Sequence, residues 1–281
     1  MNSVVGSKHF ALFRIILGIY LIQHFVFLIP YAGEVWSNSG VIPDPSLNLT
    51  FGVFPNILNY YDNTEFISGF LIALSLLSLL FTIGLYRNIA AVVIWYGWVC
   101  LFDRNNLISN PGIPFVGWLL LCCAILPNGE RYSLFPKEKP EWQFPKILWV
   151  GAWIIMSISY TLSGIDKMQA PSWVDGSAIS HLVNNPLARD WWLRELVVQL
   201  PPAMTHLMTY TILTIEVLFA PLALFAFSRK WIWIAAVLMH GGILLLVDFA
   251  DLTVGMLMIH LITIDLKWFP RLNKLITNRL P

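Results

Sequence analysis

The sequence predicts an all-α fold: a polytopic bundle of about eight transmembrane helices, within a range of six to eight, with short amphipathic helices on the extracytoplasmic side. Two observations about composition lead there. Of the 281 residues 57% are hydrophobic and only 12% are charged, about half the charged share of a soluble domain. The mean hydropathy is +0.69, so lipid rather than water must be the solvent for most of the chain. A third observation is the spacing of the apolar runs, which recur at lengths near the roughly 20 residues that a bilayer demands.

The first run is Phe10 to Pro30, behind the polar pair Lys8-His9. No small-residue cleavage site follows it, and it reads as an uncleaved signal anchor. A segment rich in Pro, Gly and Asn comes next, with an interfacial turn of helix expected between Phe54 and Tyr61. The second and third spans are Phe66 to Tyr86 and Ile89 to Phe102, with Arg87-Asn88 as the turn between them. The polar group Asp103-Arg104-Asn105-Asn106 ends the third, and Asn110-Pro111-Gly112 is a turn signal before the fourth, Ile113 to Leu126. A charged loop precedes the fifth span, Ile147 to Ile165. The stretch from Ser172 to Leu200, with Trp173, Trp191 and Trp192, reads as interfacial. His206 to Phe227, Trp231 to Val247 and Leu252 to Leu266 complete the set, with Arg229-Lys230 taken as a turn.

Eight crossings with the amino terminus inside put 13 of the 17 Lys and Arg residues on the cytoplasmic side. They are Lys8, Arg14, Arg87, Arg131, Lys137, Lys139, Lys146, Arg229, Lys230, Lys267, Arg271, Lys274 and Arg279. Arg104, Lys167, Arg189 and Arg194 remain outside. This is the positive-inside pattern. It predicts cytoplasmic termini, and the expected location is a bacterial inner membrane. The chain reads as one membrane domain over residues 1–281. A net charge of +1 offers no electrostatic case for nucleic acid. Cys100, Cys122 and Cys123 sit in apolar runs and read as small core residues, and no metal-ligand spacing is present. Asn48-Leu49-Thr50 matches a glycosylation sequon.

Ionisable groups inside a bilayer are costly and mark function by default. The candidate catalytic set is Lys167, Glu216 and His240. Lys167 shares a helical face with Tyr160 and Ser163. Held in an apolar pocket, its amine would serve as a general base. The alternative is a snorkelling Lys, or one paired with Asp166 or Asp175. Glu216, expected near the middle of the sixth span, and His240, in the seventh, would orient or relay protons, or else act as interhelical glue. Candidate substrate-binding residues are Asn106, Trp173, Tyr160, Asp103 and His24. His260 reads as structural.

The segment from Tyr160 through Gly164, Lys167, Trp173 and Gly176 resembles the small-Gly-x-x-Lys…Trp-x-x-Gly signature of the HTTM family, the membrane domain shared with vitamin K-dependent gamma-carboxylases. Leu12-Phe13-Arg14, the Gly40-to-Pro43 turn and Phe102-Asp103-Arg104-Asn105-Asn106 agree with that family's layout. The resemblance implies an HTTM-like transmembrane domain and a carboxylase- or epoxidase-like membrane enzyme, with Lys167 at the position of the base that starts hydroquinone oxygenation. Two positions depart from the carboxylase pattern. Asp166 stands where the carboxylase has the first Lys of its pair, and Asn106 where it has a His. A quinone or vitamin K-like hydroquinone is the implied cofactor or substrate. The implied partners are the lipid bilayer and a hydrophobic small molecule or secreted peptide. Outside the enzyme class, a lipid-binding, transport or partner protein would use the same helices.

Overall fold

Helix boundaries follow local capping chemistry. The computed structural model describes residues 5–248 and 250–277, so the expected cytoplasmic charge Arg279 lies outside the described residues. All secondary structure there is helical, and no strand occurs among the described residues. The α-helices are α1 (Ser7–Leu28), α2 (Ala32–Trp36), α3 (Thr64–Ile83), α4 (Arg87–Arg104), α5 (Gly112–Ile125), α6 (Lys146–Lys167), α7 (Pro171–Val174), α8 (Ala178–Val183), α9 (Trp192–Val198), α10 (Pro202–Val217), α11 (Phe219–Leu224), α12 (Ala226–Leu246), α13 (Ala250–Thr263) and α14 (Pro270–Thr277). Asn63 starts α3 by accepting a hydrogen bond from the Phe66 backbone at 2.8 Å. Gly84 ends it in the left-handed region at φ 71°. Pro202 opens α10 at a position where its missing N–H costs nothing.

All eight expected spans are helical, but among the described residues only four helices have the length and apolar composition to cross a membrane. They are α1 with its continuation to Trp36, then α3, α6 and α12. α4 carries Arg87, Asp103 and Arg104. α5 and α13 have 14 residues each, roughly 21 Å against a hydrocarbon core of about 30 Å. In α3 and α6 only 28% of the most apolar window is buried within the chain, so most of that surface faces outward, as lipid requires.

Several expected boundaries move. Arg87 begins α4, and the turn is made by residues 84–86 instead. Arg229 and Lys230 lie inside α12, because the chain already breaks at Phe225. The sixth run is two helices, so Glu216 sits at the C-terminal end of α10 and not mid-span. Asn48 is buried and donates to the Arg104 carbonyl at 2.6 Å. Its amide is therefore engaged inside the protein, not presented for glycosylation.

The chain divides into two compact units, residues 1–148 with 265–281, and residues 149–264. In the first, α1 packs on α3, α3 on α4 and α4 on α5. Its core holds three fully buried arginines. Arg104 donates to the Ile42 carbonyl at 2.8 Å. Arg14 and Arg87 converge on Glu130, at 3.2 and 2.9 Å. These cations, which the sequence assigns to membrane-flanking positions, are internal cross-links. In the second unit α11 and α13 pack on α12, and α8 packs on α10. Ile179, Val183, Val197, Leu246 and Val247 form an apolar core there.

Candidate functional site

The site grows from the last two turns of α6. Tyr160, Ser163, Gly164 and Lys167 recur at helical spacing and share one face. Gly164 lets the end of α10 come close, since a Cβ at that position would stand 2.7 Å from the Val217 backbone nitrogen. The break between α10 and α11 would leave orphan backbone groups, and Thr161 serves them. Its hydroxyl contacts the Glu216 and Val217 carbonyls at 3.3 Å and accepts from the Ala220 N–H at 3.0 Å. Sequence reading passed over Thr161; the mark of a break opposite it is Pro221, which cannot donate to the Val217 carbonyl four residues earlier.

That break aims Glu216 at Lys167. The ammonium contacts both carboxylate oxygens at 2.5 Å, so Lys167 pairs with neither Asp166 nor Asp175. Ser163 donates to Glu216 Oε2 at 3.3 Å. The Glu216 side chain is 6% exposed and that of Lys167 28%, so the pair is anchored on the acid and open on the base. Trp173 lies under the ammonium, 4.8 Å from Nζ to ring centroid, a cation–π contact. Lys167, Trp173 and Glu216 line a cavity of about 920 Å³ whose other walls are mostly apolar, among them Ile179, Met208, Ile212, Leu238 and Ile243. Beside it, Asp175 accepts from the backbone and hydroxyl of Ser177 at 2.8 and 2.6 Å. These bonds hold its carboxyl below the usual carboxylate range.

Tyr160 and His240 adjoin this pair through a buried aromatic group. Tyr160 stacks on Phe219 at 4.4 Å and stands 5.6 Å from the His240 ring and 5.8 Å from His260. His260 Nδ1 lies 2.8 Å from the Met256 carbonyl. A carbonyl can only accept, so Nδ1 carries the proton and Nε2 the lone pair. The Tyr160 hydroxyl can therefore donate to Nε2, 3.5 Å away. His260 thus does more than fill space. His240 is buried, and neither ring nitrogen has a hydrogen-bond partner among the described residues.

The remaining expected site residues belong to the other unit. Asp103 accepts from Asn56 at 2.9 Å. Asp103 and Asn106 border a separate cavity of about 560 Å³ walled by Trp95, Trp98 and Trp118. His24 is buried with its ring 4.9 Å from Trp98. The structure therefore gathers Lys167, Glu216 and Trp173 at one cavity, with Tyr160 and His240 in the same unit. Asn106, Asp103 and His24 form a second group.

The class defined by fold and site is a helical protein with membrane-length helices and a half-open Lys–Glu pair at an apolar cavity. Compared with known family models, curated proteins and solved structures, the chain gives no match.

Proposed function

We propose that this chain is a multi-pass membrane enzyme, with both termini cytoplasmic, that takes a proton from a hydrophobic substrate in the Lys167 cavity. The observation that carries this reading is the Lys167–Glu216 pair at the edge of an apolar cavity of about 920 Å³. The lining suits an amphiphile with a hydroxylated ring as head and an apolar tail, such as a quinol. This is also the substrate class that the HTTM resemblance implies. The charge asymmetry of the loops supports the orientation even when the buried Arg14, Arg87 and Arg104 are set aside.

The chemistry assigned to the chain's own groups is a proton transfer. Lys167 Nζ passes a proton to Glu216, leaving a neutral amine beside a neutral acid. The amine then takes the proton of a substrate hydroxyl and becomes an ammonium again, next to the oxyanion it has produced. Ser163 holds Glu216 in place, and the Trp173 face stabilises the returning cation. Tyr160 and His260 hold the buried side of the site.

Lys167→Met tests the reading. Purified protein should bind a short-chain naphthoquinol and be stabilised against heat by it. The variant should fold, keep part of the binding and lose turnover by at least about 100-fold, the usual contribution of a general base. A folded Lys167→Met protein with full activity would end the base assignment. A second reading, a non-catalytic carrier or sensor of an amphiphile, draws on the same ion pair. A Lys held as ammonium by Glu216 anchors a polar head without chemistry. Binding that depends on Lys167 with no product formed from any quinol would favour it.

A further inference from the structure

A second groove in the same unit has a different chemistry. It lies along the first half of α6, where Trp149, Trp153, Ile154 and Ile158 face Pro221 and Arg229, and it encloses about 620 Å³. Its walls are apolar apart from the side chain of Ser157 and one permanent cation. Arg229 is half-buried. Its Nε donates to the Ala223 carbonyl at 2.6 Å and its Nη2 to the Leu224 carbonyl at 3.2 Å. These bonds cap the C-terminal end of α11. Its guanidinium carbon stands 5.8 Å from the Trp153 ring centroid. No carboxylate pairs with it among the described residues, and Nη1 has no protein acceptor there. Around it, Leu224, Phe225, Phe227 and Trp231 are exposed at 55 to 78%. A fixed cation in a stretch of exposed aromatic and aliphatic side chains, at the start of a membrane-length helix, is the composition of a headgroup boundary.

We infer that this groove holds one anionic glycerophospholipid, its phosphate on Arg229 and an acyl chain along Ile154 and Ile158. The charge supplies the selectivity. A planar guanidinium with open donors matches phosphate oxygens, and a neutral groove of this shape would take any lipid. The location agrees. Trp149, at the far end of the groove, precedes Lys167 by 18 residues on α6, roughly 27 Å along the axis. The groove therefore meets the bilayer face opposite Lys167. In the orientation proposed above that is the cytoplasmic leaflet, whose surface is negative. The inference does not depend on Lys167 being a base.

The test is native mass spectrometry of the full chain in detergent, offered equal amounts of phosphatidylglycerol and phosphatidylcholine of identical acyl chains. One well-placed cation should give about a fivefold preference for the anionic lipid. Arg229→Gln should abolish it. Ile158→Trp, which fills the groove from an exposed position and leaves the Arg229 bonds to α11 intact, should lower occupancy by both lipids. Should Arg229→Gln not fold, Ile158→Trp decides. Lys167→Met should leave the preference unchanged. Equal binding of the two lipids by the native chain, an unchanged preference in Arg229→Gln, or undiminished occupancy in Ile158→Trp would overturn the assignment. So would competition by inorganic phosphate at the lipid's own concentration, which would indicate an anion site without an acyl groove.

Discussion

Two ion clusters set the two units of this protein apart. In the first, Glu130 lies between Arg14 and Arg87, and all three side chains are at most 1% exposed. The guanidinium donors not facing Glu130 end on backbone carbonyls and, for Arg87, also on the Asn128 side-chain oxygen. Arg14 reaches those of Phe81, Thr82 and Tyr132. Arg87 reaches those of Cys123, Leu126 and Pro127. The cluster ties α1, the end of α3, the start of α4 and the loop after α5 into one knot. In the second unit Lys167 meets Glu216 with similar chemistry, but the ammonium borders a cavity. The difference is access. A closed cluster resists change because any loss strands a charge with no water to reach it. A half-open pair can exchange its partner for a ligand. Burial, and not the presence of charge in an apolar helix, separates the structural cluster from the candidate site.

The comparison breaks most readily at Glu130. Glu130→Gln leaves two buried guanidiniums with no counter-charge, and should cost about 3–5 kcal/mol, read as a large fall in thermal stability in detergent. A loss below about 1 kcal/mol would mean that water reaches the knot and that the contrast is false. Glu216→Gln strands only one cation, and that cation can turn towards the cavity. Its expected cost is roughly 1–2 kcal/mol, with a far larger effect on quinol turnover than on melting. Equal stability losses at Glu130 and Glu216 would erase the distinction. Trp173→Leu keeps an apolar wall and removes the ring beneath Lys167. It should weaken the site by roughly 0.5–1 kcal/mol, visible as a severalfold loss of ligand affinity with little change in melting.

The smallest effect concerns Asp175, at the exposed edge of the same site. Its carboxyl is lowered by the Ser177 bonds. A carboxyl lowered on folding contributes stability that is complete above its unfolded pKa, about 3.9. That contribution is lost as pH falls through the lower folded value. Native protein should therefore show a slight extra acid sensitivity below about pH 4, absent in Asp175→Asn. An acid limb identical in the two proteins would show that these bonds do not hold the start of α8.

Much of the architecture was legible from residue order. Seven of the eight expected spans coincide with one helix each, because an apolar run such as Phe66 to Ile83 carries no internal breaker; the sixth, with Pro221 inside it, divides into two. The face shared by Tyr160, Ser163 and Lys167 follows from the 3.6-residue repeat. The partner of Lys167 did not follow. Glu216 is 49 residues away, and its approach needs a break after Val217 that Pro221 alone marks in the run. Neighbouring acids at 166 and 175 were the simpler choices, but one helical step carries Asp166 off the Lys167 face, and Asp175 accepts from Ser177 instead. Asn106, Asp103 and His24 joined the same list because intramembrane polarity is a property of composition, whereas convergence is a property of packing. Arg14 and Arg87 misled in the other direction, since a cation at a helix end reads as membrane-flanking whether it faces phosphate or a buried glutamate.

By itself, then, the sequence determined an all-helical chain whose apolar surface exceeds what its own core can cover, because hydropathy and periodicity are local quantities. Only tertiary structure decided which charges are sealed and which border a cavity. The Glu130 knot and the Lys167–Glu216 pair use the same residue types in similar apolar surroundings. What separates them is a close approach at Gly164 and a helix break at Val217, and neither has energetic meaning until two distant segments meet.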